Sequence, residues 1–339
     1  MNRLVIGIVV WNNSDDAIEC ANSLLTQTSS DFTILLLNNA STDSLVKLDL
    51  REYIAKAESD RLFYSETSVN RGTAGAFNAL VAWANEHKYD YVGSLNADAV
   101  ADKNWVKSLM GELLSDTCSI AVGKLLHMYD GTIDSTGDFY TTWGIPGPRG
   151  RDMPENTAPI TTDEVFGATG GGFIARTSLY DKTGEYDERF FLYYEDIYMI
   201  FRTQLTGNKI RYVPKAIAYH KRGASSDTVP GLATYNTFKN LPMLFWKNVP
   251  LGLIPKILPR FFLAYHLILG SAIVRGRGWP AVKGYVVSLI LLPHSLKERW
   301  HIQRTKTVST TYVNSIILHD IPPDQTGLRK FRKFFTGTS

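Results

Sequence analysis

The chain has 339 residues, of which 44% are hydrophobic, 20% charged and 12% aromatic, a composition that excludes wholesale disorder and suits about two domains. Two cysteines, Cys20 and Cys118, are too few for a disulfide framework or a cysteine-based zinc site, which points to a reducing compartment. The net charge of +3 conceals an asymmetry: residues 1–238 carry 21 Lys and Arg against 30 Asp and Glu, net −9, and residues 239–339 carry 15 against 3, net +12.

Only Arg3 is charged near the N-terminus and no small-residue cleavage pattern follows, so no signal peptide is expected. Leu4–Val10 is a continuous apolar run, the pattern of a strand buried on both faces. Helical spacing over Ser14–Gln27 follows, then strand Phe32–Leu37, helix Ser44–Lys56, strand Arg61–Ser65 and helix Ala74–Glu86. Strand Tyr91–Leu95, helix Asn104–Leu114 and the apolar run Ile120–Leu126 continue the alternation. Strands alternating with helices of this length predict a parallel, doubly wound α/β sheet. Polar loops leave each strand's carboxyl end, at Asn12-Asn13, Asn38–Asp43, Asn70–Gly72 and Asn96–Asp98, the edge where such sheets bind ligands. After Tyr129 the rhythm breaks into hairpins and loops, a Gly170-Gly171-Gly172 run, a helix from Glu195 to Leu205, and short strands at Ile210–Val213 and Ala216–Tyr219.

From Lys239 the composition changes. Residues 239–306 hold eleven Lys and Arg and one acid, Glu298, with prolines at 242, 250, 255, 259, 280 and 293 expected to break short hydrophobic helices. The longest apolar stretch, Phe261–Val274, is 14 residues, short of the roughly 20 a span needs, so no transmembrane helix is expected. Apolar segments flanked by Lys and Arg favour helices lying in the headgroup region of a membrane, with a helical subdomain packed on the first domain or a dimer interface as the alternative. The expected division is a domain at 1–238, interfacial helices at 239–306 and a basic tail at 307–339.

Three short segments carry the chemistry. Asn96-Ala97-Asp98 leaves a strand end, and a divalent cation bridging a diphosphate needs only one or two protein ligands of this kind, though Asn-x-Asp also makes ordinary turns. Glu195-Asp196 opens a helix, where the dipole favours the carboxylate form that a general base requires; ordinary capping explains such acids too. Tyr219-His220 ends the last strand, and a lone histidine is more often structural or solvated than a metal ligand unless it converges with Asp98.

Together, Val9-Val10-Trp11-Asn12, Leu37–Asp43, Asn70–Gly75, Leu95–Asp98, Gly170–Gly172, Asp187–Asp196 and Tyr219-His220 occur in the order and spacing of one family. Over about residues 4–225 the chain resembles inverting family-2 glycosyltransferases of the GT-A fold, and within these bacterial rhamnosyltransferases of surface-polysaccharide assembly. The resemblance implies an enzyme that moves a sugar from a nucleotide diphosphate to a saccharide hydroxyl. L-rhamnose from dTDP-rhamnose is its first implication, with UDP-linked galactofuranose, galactose or N-acetylhexosamine as alternatives. It implies Asp196, or less directly Glu195, as catalytic base, and Mg²⁺ or Mn²⁺ held by Asp98 and His220. It also implies nucleotide contacts from Val10, Asn38, Arg71, Gly72, Asn96, Ala97 and Asp98, and an acceptor side at Gly170, Gly171 and Gly172. Asn96 stands where the family carries an Asp, which leaves metal binding mainly to Asp98. Asn38 likewise replaces an Asp, and an amide still pairs with a pyrimidine edge.

The basic region adds an anionic membrane surface as partner and a polyprenyl-linked saccharide as acceptor, with the protein peripheral on the cytoplasmic face. A Rossmann oxidoreductase is disfavoured, because Trp11-Asn12-Asn13-Ser14 stands where Gly-x-Gly-x-x-Gly belongs. A membrane- or nucleic-acid-binding protein with an inert α/β domain is the rival of another class. Lys and Arg interleaved with Leu, Ile and Phe favour lipid over nucleic acid.

Overall fold

A computed structural model describes residues 3–115, 118–221 and 229–322. Its elements are β1 (Leu4–Val10), α1 (Ser14–Leu25), β2 (Thr33–Asn38), α2 (Ser44–Ala57), β3 (Leu62–Glu66), α3 (Gly72–Glu86), β4 (Tyr91–Leu95), β5 (Ala99–Ala101) and α4 (Trp105–Ser115). There follow β6 (Ile120–His127), β7 (Ile133–Ser135), β8 (Asp138–Tyr140), β9 (Pro146–Pro148), β10 (Asp163–Glu164), β11 (Gly172–Arg176), α5 (Leu179–Thr183), α6 (Glu195–Leu205) and β12 (Ile210–His220). The C-terminal helices are α7 (Leu232–Asn248), α8 (Ile254–Ala272), α9 (Gly278–Ile290), α10 (Leu292–Thr305) and α11 (Thr310–Ile316).

The sheet runs β10-β12-β6-β11-β4-β1-β2-β3, with β5 on β12 and β7 on β6. Its long strands β12, β6, β4, β1, β2 and β3 point one way and β11 runs against them between β4 and β6, so the central sheet is mostly parallel, as expected of a GT-A fold. Alternation along β1 divides two cores. Leu4, Ile6, Ile8 and Val10 pack with α1, α2 and α4, while Val5 faces the layer of α3, α6 and α7. Gly7 leaves the space that the Leu80 side chain fills from α3.

Two expectations change in detail. The two short strands read near the end of the domain are one strand, β12, with its register shifted between Val213 and Ile217. The Pro-broken short helices are long ones: Pro242 lies inside α7 and Pro259 inside α8, while Pro255 and Pro293 sit in first turns, where no N–H is lost. The boundary expected after residue 238 falls within α7, which is a core helix. Phe238, Leu241, Leu244 and Phe245 are buried against the α/β domain, and so are Lys239, Asn240 and Lys247.

Of the basic tail expected over 307–339, residues 307–322 fold back. Val313 and Ile317 are buried and Leu318 bridges Thr141; residues 323–339 lie outside the described residues. The helical run Leu251–Ile290 spans 40 residues and holds an 18-residue window of mean hydropathy 1.7, so by length and composition it is long and apolar enough to cross a membrane, unlike the 14-residue stretch read from sequence. Gly276, at φ 75°, interrupts it.

Candidate functional site

The carboxyl edge of the sheet opens into a cleft of about 1130 Å³. Trp11 and Asn13 enter it beyond β1, Asn96-Ala97-Asp98 beyond β4, His127 at the end of β6, and His220 at the end of β12. Because β11 is antiparallel, its leading loop Thr169-Gly170-Gly171 reaches the same edge. Glu195 and Asp196, opening α6, form the wall opposite.

His220 is held through both of its ring nitrogens. Its Nε2 lies 3.0 Å from Asp98 Oδ1, and its Nδ1 lies 2.8 Å from Asp134 Oδ2. Asp134, on β7, is in turn ion-paired to Arg151 at 3.0 Å. Burial opposes charge on the imidazole, but hydrogen bonds to Asp134 and Asp98 outweigh it and push the His220 pKa up to about 9. Among the described residues no group of three or more His, Cys, Asp or Glu is arranged to hold a metal ion. The Asp98–His220 pair therefore has to share any cation with a ligand's oxygens.

Asp196 accepts hydrogen bonds from the Ile197 backbone N–H at 2.7 Å and the Gly170 N–H at 3.1 Å. Burial raises its pKa, and these two donors work against that rise. Glu195 is more deeply buried, its Oε2 makes no hydrogen bond, and burial followed by the Asp196 charge raises its pKa well above the usual range. A side chain at Gly170 would place its Cβ 3.1 Å from Asp196 Oδ2, so the glycine keeps the carboxylate open to the cleft.

The loop before α6 is wound unusually. Phe191, Tyr193 and Tyr194 all have φ between 63° and 69°, left-handed conformations that cost non-glycine residues energy. The Asn240 amide from α7 holds this loop by donating to the carbonyls of Phe190, Leu192 and Tyr193 at 2.7–2.9 Å. Gly72, at φ 67°, packs beneath it so tightly that any Cβ would collide with the Phe191 carbonyl.

A family model described as glycosyl transferase family 2 matches residues 5–184. The chain belongs to this family. No curated protein matches it in sequence. Among solved structures it is similar to GalNAc-T7 crystallised with UDP, GalNAc and Mn²⁺, at a TM-score of 0.57 and 16% identity over 73% of this chain and 48% of that one. It is similar also to the mannosyltransferase PcManGT of Pyrobaculum calidifontis, in complex with GDP-Man and Mn²⁺, at 0.54 and 13% over 90% and 85%. S. aureus TarS matches at 0.51 and 18% over 77% and 43%. The chain thus spans about half the length of the first of these, and at such identities the likeness is one of fold.

In this family-2 chain the cleft gathers Gly72, Asn96, Ala97, Asp98, Gly170, Gly171, Glu195, Asp196 and His220 from the residues singled out in the sequence. Four others lie off it. Val10 is buried on the face of β1 that packs with α1, α2 and α4, and its neighbours Val9 and Trp11 line the cleft instead. The Asn38 amide is turned inward, donating to the Tyr64 hydroxyl at 3.2 Å and accepting from the Ser41 N–H at 3.0 Å, and its neighbour Asn39 faces the cleft. The Arg71 guanidinium is forked onto Glu188. Gly172 has entered β11, where Leu95 and Trp105 close over it.

Sequence reasoning missed Asp134, Asp138 and Arg151. They come from the irregular segment after β6, and only the spacing of Asp134 and Asp138 around Gly137 (φ 99°) hints at a tight turn carrying two acids. Asp138 is buried with its pKa raised well above the usual range, by burial first and then by the Asp196 charge.

Proposed function

We propose that the chain transfers a sugar with inversion from a nucleotide diphosphate to a saccharide hydroxyl, with L-rhamnose from dTDP-rhamnose as donor and a polyprenyl-linked glycan of cell-surface polysaccharide as acceptor. The observation that carries this reading is the convergence of Asp98, Asp196 and His220 on one cleft at the ligand edge of a family-2 fold. Asp196 takes the acceptor proton: its anion is held by two backbone N–H groups, while burial keeps it basic. The acceptor hydroxyl then attacks the anomeric carbon from the Gly170–Gly171 side as the nucleotide diphosphate leaves.

Asp98 and His220 fit a divalent cation such as Mg²⁺ or Mn²⁺. A carboxylate oxygen and an imidazole nitrogen 3.0 Å apart face the cleft, and Asp134 anchors the far ring nitrogen. When bound, the cation supplies neutralisation of the charge on the leaving group. The neighbours solved with Mn²⁺ support this assignment. UDP-linked galactofuranose, galactose or N-acetylhexosamine is the second reading of the donor.

A thermal-shift and hydrolysis screen of nucleotide sugars with Mn²⁺ tests the proposal. The expected result is stabilisation and turnover by dTDP-rhamnose in preference to UDP-sugars, abolished by EDTA. Equal response to every nucleotide sugar, or activity indifferent to chelator, would overturn the donor and the metal assignments respectively.

A further inference from the structure

Helix α9 is built inside out. Towards α7 it turns Ala281, Gly284 and Ser288, all buried, and a Cβ on Gly284 would collide with the Tyr235 carbonyl of α7. Towards solvent it turns Trp279, Val282, Val286, Leu289 and Ile290, with Trp279 78% and Ile290 69% exposed. A helix on a water-facing surface does the reverse. The rings of Tyr265 and Tyr285 stack 5.9 Å apart on either side of Gly276, so α8 and α9 fold back on one another as a hairpin. Its tip, Ile273 to Arg277, is exposed throughout, Val274 at 88%, and α8 adds exposed Phe262 and Leu263.

Charge says what covers this face. Arg275, Arg277 and Lys283 are exposed around the apolar residues, and Glu298 is the one acid between residues 239 and 306. We infer that the α8–α9 hairpin beds into the surface of an anionic bilayer, its apolar side chains below the headgroups and its Arg and Lys among the lipid phosphates. A second copy of the chain fits poorly, because a twofold contact sets each patch against itself and opposes like charges. A span fits poorly too. The buried sides of α8 and α9 are committed to α7, and Arg260 of α8 donates to Thr142 at 2.7 Å and to the His319 carbonyl at 3.2 Å, tying the helix to the α/β domain.

The hairpin also adjoins the cleft. Gly231 abuts Pro280 in the first turn of α9, and its neighbours Val229 and Leu232 line the cleft rim. Docking therefore holds the cleft mouth at the bilayer, where a lipid-borne saccharide reaches Asp196 without leaving the surface. Delivery of such an acceptor rests on the transferase reading; the docking itself does not.

The test uses the full chain with vesicles of phosphatidylcholine alone or mixed equally with phosphatidylglycerol. The chain is expected to float with the mixed vesicles and not with the neutral ones. Both native cysteines are buried, so a polarity-sensitive dye on Val274→Cys reports the tip. Its emission should shift to the blue with mixed vesicles, while the same dye on Leu45→Cys of α2 should not respond.

The double variant Val274→Asp/Trp279→Glu changes only exposed positions. It should need at least about tenfold more lipid for half-binding, with melting and nucleotide-sugar binding unchanged. Failure of the wild type to float, or flotation of the double variant like wild type, overturns the inference even where nucleotide-sugar binding persists. A wild-type dimer that the double variant dissolves, with no vesicle binding by either, assigns the face to a second copy instead.

Discussion

Glu195 and Asp196 are neighbours in sequence with opposite surroundings, and the difference decides which one works as a base. Glu195 is the more deeply buried of the two, one of its oxygens finds no donor, and burial raises its pKa well above the usual range. Asp196 has two backbone donors and faces the cleft. Asp196→Asn should lower turnover by about 10²–10⁴ while nucleotide-sugar binding, read by thermal shift, is retained. Glu195→Gln, which keeps the shape of a neutral carboxyl, should stay within about tenfold of wild type; the reverse ranking in a sugar-transfer assay would move the base to Glu195.

Asp134 acts one step further out. By accepting from His220 Nδ1 it fixes the ring so that Nε2 faces Asp98. Asp134→Asn should weaken Mn²⁺ binding, measured by electron paramagnetic resonance with nucleotide diphosphate present, by about 10- to 100-fold.

Among the elements, α7 matters for a reason its sequence does not display. Three left-handed residues precede α6 at a cost of about 1–3 kcal/mol each, and the Asn240 amide pins the carbonyls between them. Asn240→Leu, similar in size, removes the side-chain donor to three carbonyls and leaves that of Phe190 to Lys239 and the Leu192 N–H. It should destabilise the chain by about 1–3 kcal/mol in chemical denaturation and lower turnover as Asp196 loses its fixed position. An effect on stability alone would separate the loop's winding from catalysis.

Strands β1, β2, β3, β4 and β6 were legible because each is an apolar run between polar loops, unlike the three-residue β5, and α6 because Glu195-Asp196 and helical spacing mark its start. Asn240 was not legible: one amide in a basic helix gives no sign that carbonyls some fifty residues earlier need donors. Asp134 was hidden in a three-residue strand too short for periodicity to register. Pro214 made β12 look like two strands, and Pro242 and Pro259 made α7 and α8 look broken. Burial of α7 against the domain outweighs what an interior proline costs. The α9 sequence reads as apolar with basic residues, but which side faces outward is set by the close approach of Gly284 to α7.

At the scale of the whole molecule, the C-terminal helices are fastened to the α/β domain by a buried charge cluster. Asp187, at the head of the loop leading to α6, pairs with fully buried Lys247 of α7 and lies 2.7 Å from His294 Nε2 of α10. Burial alone would raise the Asp187 pKa, but Lys247, His294 and the Arg189 N–H together hold it well below the usual carboxylate range. Burial lowers the Lys247 pKa despite the facing Asp187 carboxylate. A depressed carboxylate pKa means that the folded chain binds this proton less tightly than the unfolded one. The contribution of Asp187 is therefore complete above about pH 4 and drains away as the pH falls below it. Lys247→Met leaves Asp187 buried without its main partner and should cost about 3–5 kcal/mol at neutral pH. Denaturation curves taken at falling pH should show that cost shrink in acid, as the unpaired Asp187 of the folded variant takes up a proton and sheds its buried charge. A cost constant down to pH 3 would mean that packing of the lysine stem, rather than its charge, fastens the helices to the domain that carries the cleft.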